Sequence, residues 1–147
     1  MPTAHLRVWR GDQDGDYQEY DVDYEEGMVV LDVVHRLQAT QTPDLAVRWN
    51  CKAGKCGSCS AEVNGTPKLQ CMQRMEQYPE GETISIAPLK TFPLIRDLVS
   101  DVSWNYEIAK TIPEIKLQDR ESDGTHRMAQ IDVDRGQEFR KCIECFI

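Results

Sequence analysis

The order of patterned segments predicts an α+β fold in which one amphipathic helix lies against a mixed sheet. Three observations carry this. Apolar residues alternate near both ends of the first half of the chain, a stretch of helical periodicity lies between them, and a cysteine-rich loop is followed by a hairpin signal.

His5 to Arg10 alternates Leu6 and Val8 with polar neighbours, and a second alternation runs through Tyr20, Val22 and Tyr24, so the two segments read as paired strands. Between them Gly11-Asp12-Gln13-Asp14-Gly15-Asp16 is turn-rich. Its aspartates do not make a calcium loop, because counting from Asp12 puts Tyr17 and Asp23 where glycine and glutamate are needed. From Met28 to Gln41 the side chains of Val30, Val33, Val34, Leu37 and Gln38 share one helical face, which predicts one amphipathic helix. His35 lies off that face and reads as a surface or capping residue; His5 and His126 carry no stronger signal.

Past the cysteine loop, Ser60 to Val63 and Leu69 to Met72 flank Asn64-Gly65, the strongest short hairpin signal. A last strand, Thr83 to Ala87, alternates Ile84 and Ile86 and stops at Pro88. Leu94, Ile95, Leu98, Val99 and Val102 then form a helical stripe after Phe92-Pro93, so a connecting helix is expected there. Residues 111 to 125 are polar, with Pro113 and Gly124, and read as a linker. A second helix is expected from Met128 to about Lys141.

Composition excludes several functions. The 147 residues include 17 basic and 25 acidic side chains, a net charge of −8, and the cations form no stripe, so nucleic acid is excluded as a partner. No apolar run approaches the roughly 20 residues of a bilayer span. The N-terminal residues show neither a signal peptide nor a transit peptide, so a cytosolic chain is expected. Without a secretory route, Asn64-Gly65-Thr66 is a turn and not a glycosylation site.

Six cysteines are many for a reducing compartment, and there clustered cysteines are more often metal ligands than disulfides. Cys51, Cys56, Cys59 and Cys71 give C-x4-C-x2-C-x11-C. A zinc site usually takes its ligands from two short knuckles, and only Cys56 and Cys59 make one. Three ligands from one loop and a fourth from a distant segment is the plant-type [2Fe–2S] spacing. The hairpin supplies that fourth ligand, since its return strand carries Cys71 back toward Cys59. Gly54 and Gly57 allow backbone N–H groups to turn toward the sulfurs, and Lys52, Lys55, Ser58 and Ser60 could offset the cluster's negative charge. Zinc and structural or reactive thiols rank behind the iron–sulfur reading.

Trp49-Asn50-Cys51 through Cys71, then Pro88-Leu89-Lys90-Thr91-Phe92-Pro93-Leu94-Ile95-Arg96-Asp97-Leu98-Val99, then Arg140-Lys141-Cys142-Ile143-Glu144-Cys145, resembles the iron–sulfur subunit of the succinate dehydrogenase and fumarate reductase family. The resemblance implies a β-grasp, plant-ferredoxin-like domain over residues 1–105, with Cys51, Cys56, Cys59 and Cys71 holding [2Fe–2S]. Some members have aspartate at the third loop position; this chain has Cys59. Residues 106–147 would be a linker and the start of a helical ferredoxin domain, which in the family holds [4Fe–4S] and [3Fe–4S]. Cys142 and Cys145 match the first two ligands of its C-I-x-C-x2-C motif, and the chain ends two residues later, as a truncated subunit would.

The function implied is one-electron transfer between a flavoprotein (FAD) subunit, which interconverts succinate and fumarate, and a quinone beside a membrane-anchor subunit. Such a chain would sit peripherally on the cytoplasmic or matrix face of the membrane. It has no G-x-G-x-x-G dinucleotide fingerprint, and no acid–base catalyst is assigned to it. A free-standing [2Fe–2S] ferredoxin is the alternative, and a zinc- or thiol-stapled docking module comes after that.

Overall fold

The computed structural model describes residues 1–114 and 116–147, so Ile115 of the expected linker lies outside the described residues. Two compact units are present: Met1–Val102 together with Glu144–Ile147, and Ser103–Ile143.

In the first unit β1 (Thr3–Arg10) and β2 (Asp16–Asp23) form an antiparallel hairpin whose register runs from Thr3 opposite Asp23 to Arg10 opposite Asp16. The aspartate-rich segment is the turn between them. Gly15 is obligatory in it, because a Cβ there would lie 2.2 Å from the Arg10 carbonyl oxygen. The single long helix, α1 (Val30–Thr40), follows. Then come β3 (Ser60–Val63), β4 (Thr66–Leu69) and β5 (Thr83–Ala87), and the five-stranded sheet has the order β2-β1-β5-β3-β4, with β1 and β5 parallel and the other pairs antiparallel. This is the predicted α+β β-grasp: a mixed sheet closed around one helix.

The alternation that predicted the strands is what packs them. Ala4, Leu6 and Val8 from β1, Ala61 and Val63 from β3, and Ile84 and Ile86 from β5 are buried in one core with Val30, Val33, Val34 and Leu37 of α1. Leu31, which the sequence pattern did not place on the buried face, points elsewhere and packs with Cys59 and Cys71. The helix start is stitched to the segment after the last of the clustered cysteines. Val30 N–H donates to the Gln73 carbonyl at 2.8 Å, Met75 N–H to the Met28 carbonyl at 3.0 Å, and Asp32 accepts from the Val29 N–H at 3.2 Å.

Four expectations are corrected. The Leu94–Val102 stripe is not a helix: β6 (Leu94–Arg96) and β7 (Val99–Ser100) form a small hairpin instead, with Ile95 exposed and Leu98 buried. The reason is Asp97, in the left-handed region at φ 50°, whose fully buried carboxylate accepts from Gly11 N–H (2.6 Å), Ala46 N–H (2.7 Å) and Arg10 Nε (3.2 Å). A helix through these residues would pull that carboxylate away from its partners. Second, the return strand after Asn64-Gly65 is Thr66–Leu69, so Cys71 sits in a 3-10 turn, Gln70–Met72, just beyond the sheet. The two-residue turn, with Asn64 and Gly65 both at positive φ, sets Thr66 opposite Val63, so Leu69 is already opposite Ser60, where β3 begins. Third, the helix expected from Met128 is the shorter α3 (Gln130–Gly136), which stops at a glycine; a 3-10 turn, Phe139–Lys141, follows. Fourth, His35 is neither an open surface residue nor a cap. It is half-buried, with its ring centroid 4.7 Å from that of Trp49.

The second unit holds α2 (Ser103–Ala109) and α3, neither of which buries a side chain. No helix among the described residues is long and apolar enough to cross a membrane.

Candidate iron–sulfur centre

The loop between α1 and β3 turns repeatedly, and its backbone conformation explains its glycines. Lys52, Gly54 and Gly57 all have positive φ (56°, 63° and 70°), so successive N–H groups face inward instead of continuing a strand. Ala53 N–H and Lys55 N–H both donate to Cys51 Sγ at 3.3 Å, and Gly54 N–H donates to Cys71 Sγ at 3.3 Å. Gly54 is favoured by its positive φ, and a Cβ there would also lie 2.8 Å from Met72 Sδ, so that side chain would have to shift.

The four clustered cysteines are brought into one neighbourhood. Cys56 lies beside Cys51, and its thiol is lowered to about 6, first by the hydrogen bond with Ser58 Oγ at 2.9 Å and then by its contacts with Cys51. Cys59 lies beside Cys71 and within electrostatic reach of Cys56; its thiol is pushed up to about 12, chiefly by burial. Cys59 and Cys71 are buried against Leu31, while Cys51 and Cys56 are half-buried. Among the described residues no three His, Cys, Asp or Glu side chains are grouped as a single metal ion would require. What the chain offers is a set of four neighbouring thiols with backbone donors already aimed at two sulfurs, which suits an anionic sulfide-bridged cluster.

Other expectations about the loop are resolved individually. Lys55 contributes its backbone N–H, and its side chain is exposed. Lys52 Nζ pairs with Asp32 at 3.3 Å and lies 5.1 Å from the centre of the Trp49 ring. Ser60 does not face a sulfur; its hydroxyl donates to the Gly57 carbonyl at 2.7 Å and closes the turn. Cys145 is half-buried in the first unit, and Cys142 is exposed in the second, its N–H bonded to the Phe139 carbonyl at 3.3 Å. His5 pairs with Asp21 at 2.6 Å and His126 with the Gln118 carbonyl at 2.8 Å.

Two residues at the centre escaped the sequence reading. Met72 covers Gly54, and Gln70, 1% exposed, donates from Nε2 to the Cys59 carbonyl at 3.1 Å. The only signal for either was adjacency to Cys71.

A β-grasp sheet with a cysteine loop folded over inward N–H groups defines an iron–sulfur protein of the ferredoxin type. Residues 5–107 match the family described as "2Fe-2S iron-sulfur cluster binding domain", and the chain belongs to that family. The zinc and thiol-staple readings are thereby set aside.

Among solved structures, "Mycobacterium smegmatis Sdh1 complex in the apo form" contains a chain 61% identical, with a TM-score of 0.91 over 99% of this chain and 61% of that one. The "Fumarate reductase iron-sulfur subunit" of Mycobacterium tuberculosis (strain CDC 1551 / Oshkosh) is 31% identical over 89% of this chain and 54% of its own. The "Succinate dehydrogenase [ubiquinone] iron-sulfur subunit, mitochondrial" of Candida glabrata is 34% identical over 99% of this chain and 59% of its own. The chain thus spans little more than half the length of these curated relatives.

Proposed function

We propose that this chain is the electron-transfer iron–sulfur subunit of a succinate dehydrogenase or fumarate reductase complex, with Cys51, Cys56, Cys59 and Cys71 as the [2Fe–2S] ligands. The observation that carries the reading is the convergence of the Ala53, Gly54 and Lys55 N–H groups on the sulfurs of Cys51 and Cys71. When bound, the cluster supplies reversible one-electron chemistry. The chain's own part is to present four thiolates from one loop and the following turn, place fixed donors against the charge and bury the Cys59 side against Leu31. The partners are a flavoprotein (FAD) subunit on one side and, on the other, a membrane-anchor subunit and quinone. Substrate conversion belongs to the flavoprotein.

Residues 1–105 form the ferredoxin-like domain, and 106–147 begin a helical one. Cys142 and Cys145 are assigned to a [4Fe–4S] set, of which they would be two ligands. The complex sits peripherally on the cytoplasmic or matrix face.

The test is iron and acid-labile sulfide per chain on anaerobically purified protein, with an electron paramagnetic resonance spectrum after dithionite reduction and identification of copurifying flavin. About two irons and two sulfides on the Cys51–Cys71 loop, with a flavoprotein in the same preparation, are expected. Zinc without sulfide would overturn the ligand assignment. A flavin-free monomer that reduces soluble acceptors would overturn the subunit role.

A further inference from the structure

We propose that Gln70 is a positioning residue for the cluster, its buried amide tying the backbone of Cys59 to the turn that carries Cys71. The inference rests on the assignment of those two cysteines as ligands.

The Cys59 carbonyl accepts two hydrogen bonds from one residue: Gln70 N–H at 3.3 Å and Gln70 Nε2 at 3.1 Å. The backbone bond continues the β3–β4 ladder past its last pair, Ser60 with Leu69, and any residue but proline could make it. The side-chain bond needs an amide of this length. It is made in the interior, with Gln70 1% exposed, and Oε1 is buried without a hydrogen-bond partner among the described residues. Turning the amide over would set Oε1 against the Cys59 carbonyl, acceptor to acceptor, so the orientation is fixed.

A leucine would fill about the same space and leave no oxygen unpaired. An amide is therefore held here against an unfavourable desolvation, and what it gains is the tie to Cys59. Both ends of that tie belong to ligand segments: one is the carbonyl of Cys59 itself, and the other is the residue before Cys71. The two sulfurs lie together in a buried cluster with Leu31, and Gln70 itself is 1% exposed. Losing the side-chain bond leaves the backbone bond alone to hold Cys59 against the turn that carries Cys71, which frees the two ligand segments to shift.

The experiment compares loaded wild type with Gln70→Leu and Gln70→Glu, each purified anaerobically in its complex. Wild type must first contain two irons and two sulfides per loop; its failure to do so would sink the ligand assignment before any variant is examined. Both variants are expected to keep the wild-type circular dichroism while their reduced electron paramagnetic resonance g-values and reduction potentials shift. Cluster affinity in chelator competition should fall roughly ten- to a hundredfold, the usual consequence of losing a partner outside the ligands themselves. Unchanged g-values and potential with only a lower melting temperature would make Gln70 a packing residue and overturn the proposal. So would the failure of both variants to fold.

Discussion

Replacing Asp97 by alanine tests the interaction that turned an expected helix into a hairpin. The carboxylate is fully buried and serves Gly11 N–H, Ala46 N–H and Arg10 Nε at 2.6, 2.7 and 3.2 Å. Alanine leaves the two backbone donors without acceptors, at about 1–3 kcal/mol each. It must also hold φ 50°, which adds roughly 1 kcal/mol. Arg10 keeps Asp44 at 2.7 Å and Tyr20 at 3.1 Å, so its charge is not stranded. The loss should be about 3–7 kcal/mol, against a typical domain stability of about 5–15 kcal/mol.

Asparagine provides the graded control. Its one carbonyl oxygen can serve Gly11, but its NH2 group then faces the Ala46 N–H, so one donor is lost and about 1–3 kcal/mol is expected. Urea and thermal denaturation of the loaded protein, followed by circular dichroism, should place Asp97→Asn between wild type and Asp97→Ala. For a unit of this size each kcal/mol lowers the melting temperature by about 4–8 °C, so the alanine variant should melt at least roughly 12 °C lower. An alanine variant within about 1 kcal/mol of wild type, or an asparagine variant equally damaged, would refute the hydrogen-bond reasoning.

Cys71→Ala should abolish the [2Fe–2S] spectrum, whereas Cys142→Ala should leave it intact; loss of the signal in the second variant would show that the ligands have been divided wrongly. Gly54→Ala should destabilise the loop by about 1–2 kcal/mol from its left-handed backbone alone, and the contact with Met72 adds to this. Adding Met72→Ala should restore only the steric part in chelator-release kinetics. Gly15→Ala should open the β1–β2 turn, because its Cβ would meet the Arg10 carbonyl at 2.2 Å; exchange protection of the β1–β2 amides should drop, and full protection would count against the turn geometry.

Much of the first unit was legible because its signals are local. Leu6 and Val8, or Ile84 and Ile86, declare a two-residue period within a few positions, Asn64-Gly65 declares its turn, and the cysteine spacing declares a loop. Leu94 to Val102 misled because its apolar residues satisfy a helical period, while the deciding contacts of Asp97 run to Gly11 and Ala46, far away in sequence. His35 escaped for the same reason, its partner Trp49 lying beyond the end of the helix. Gln70 was invisible because no pattern announces that a polar residue beside a ligand will be buried.

The position of β5 has a consequence for synthesis. It lies between β1 and β3, so the β1–β2 and β3–β4 hairpins share no strand contact until it arrives. All four clustered cysteines precede it in the chain and leave the ribosome before the strand that completes the sheet. The nascent chain therefore passes through an interval in which its thiols have been made but their scaffold cannot close. During that interval it depends on a reducing environment, or on prompt metal delivery, to reach Ala87 with its cysteines intact.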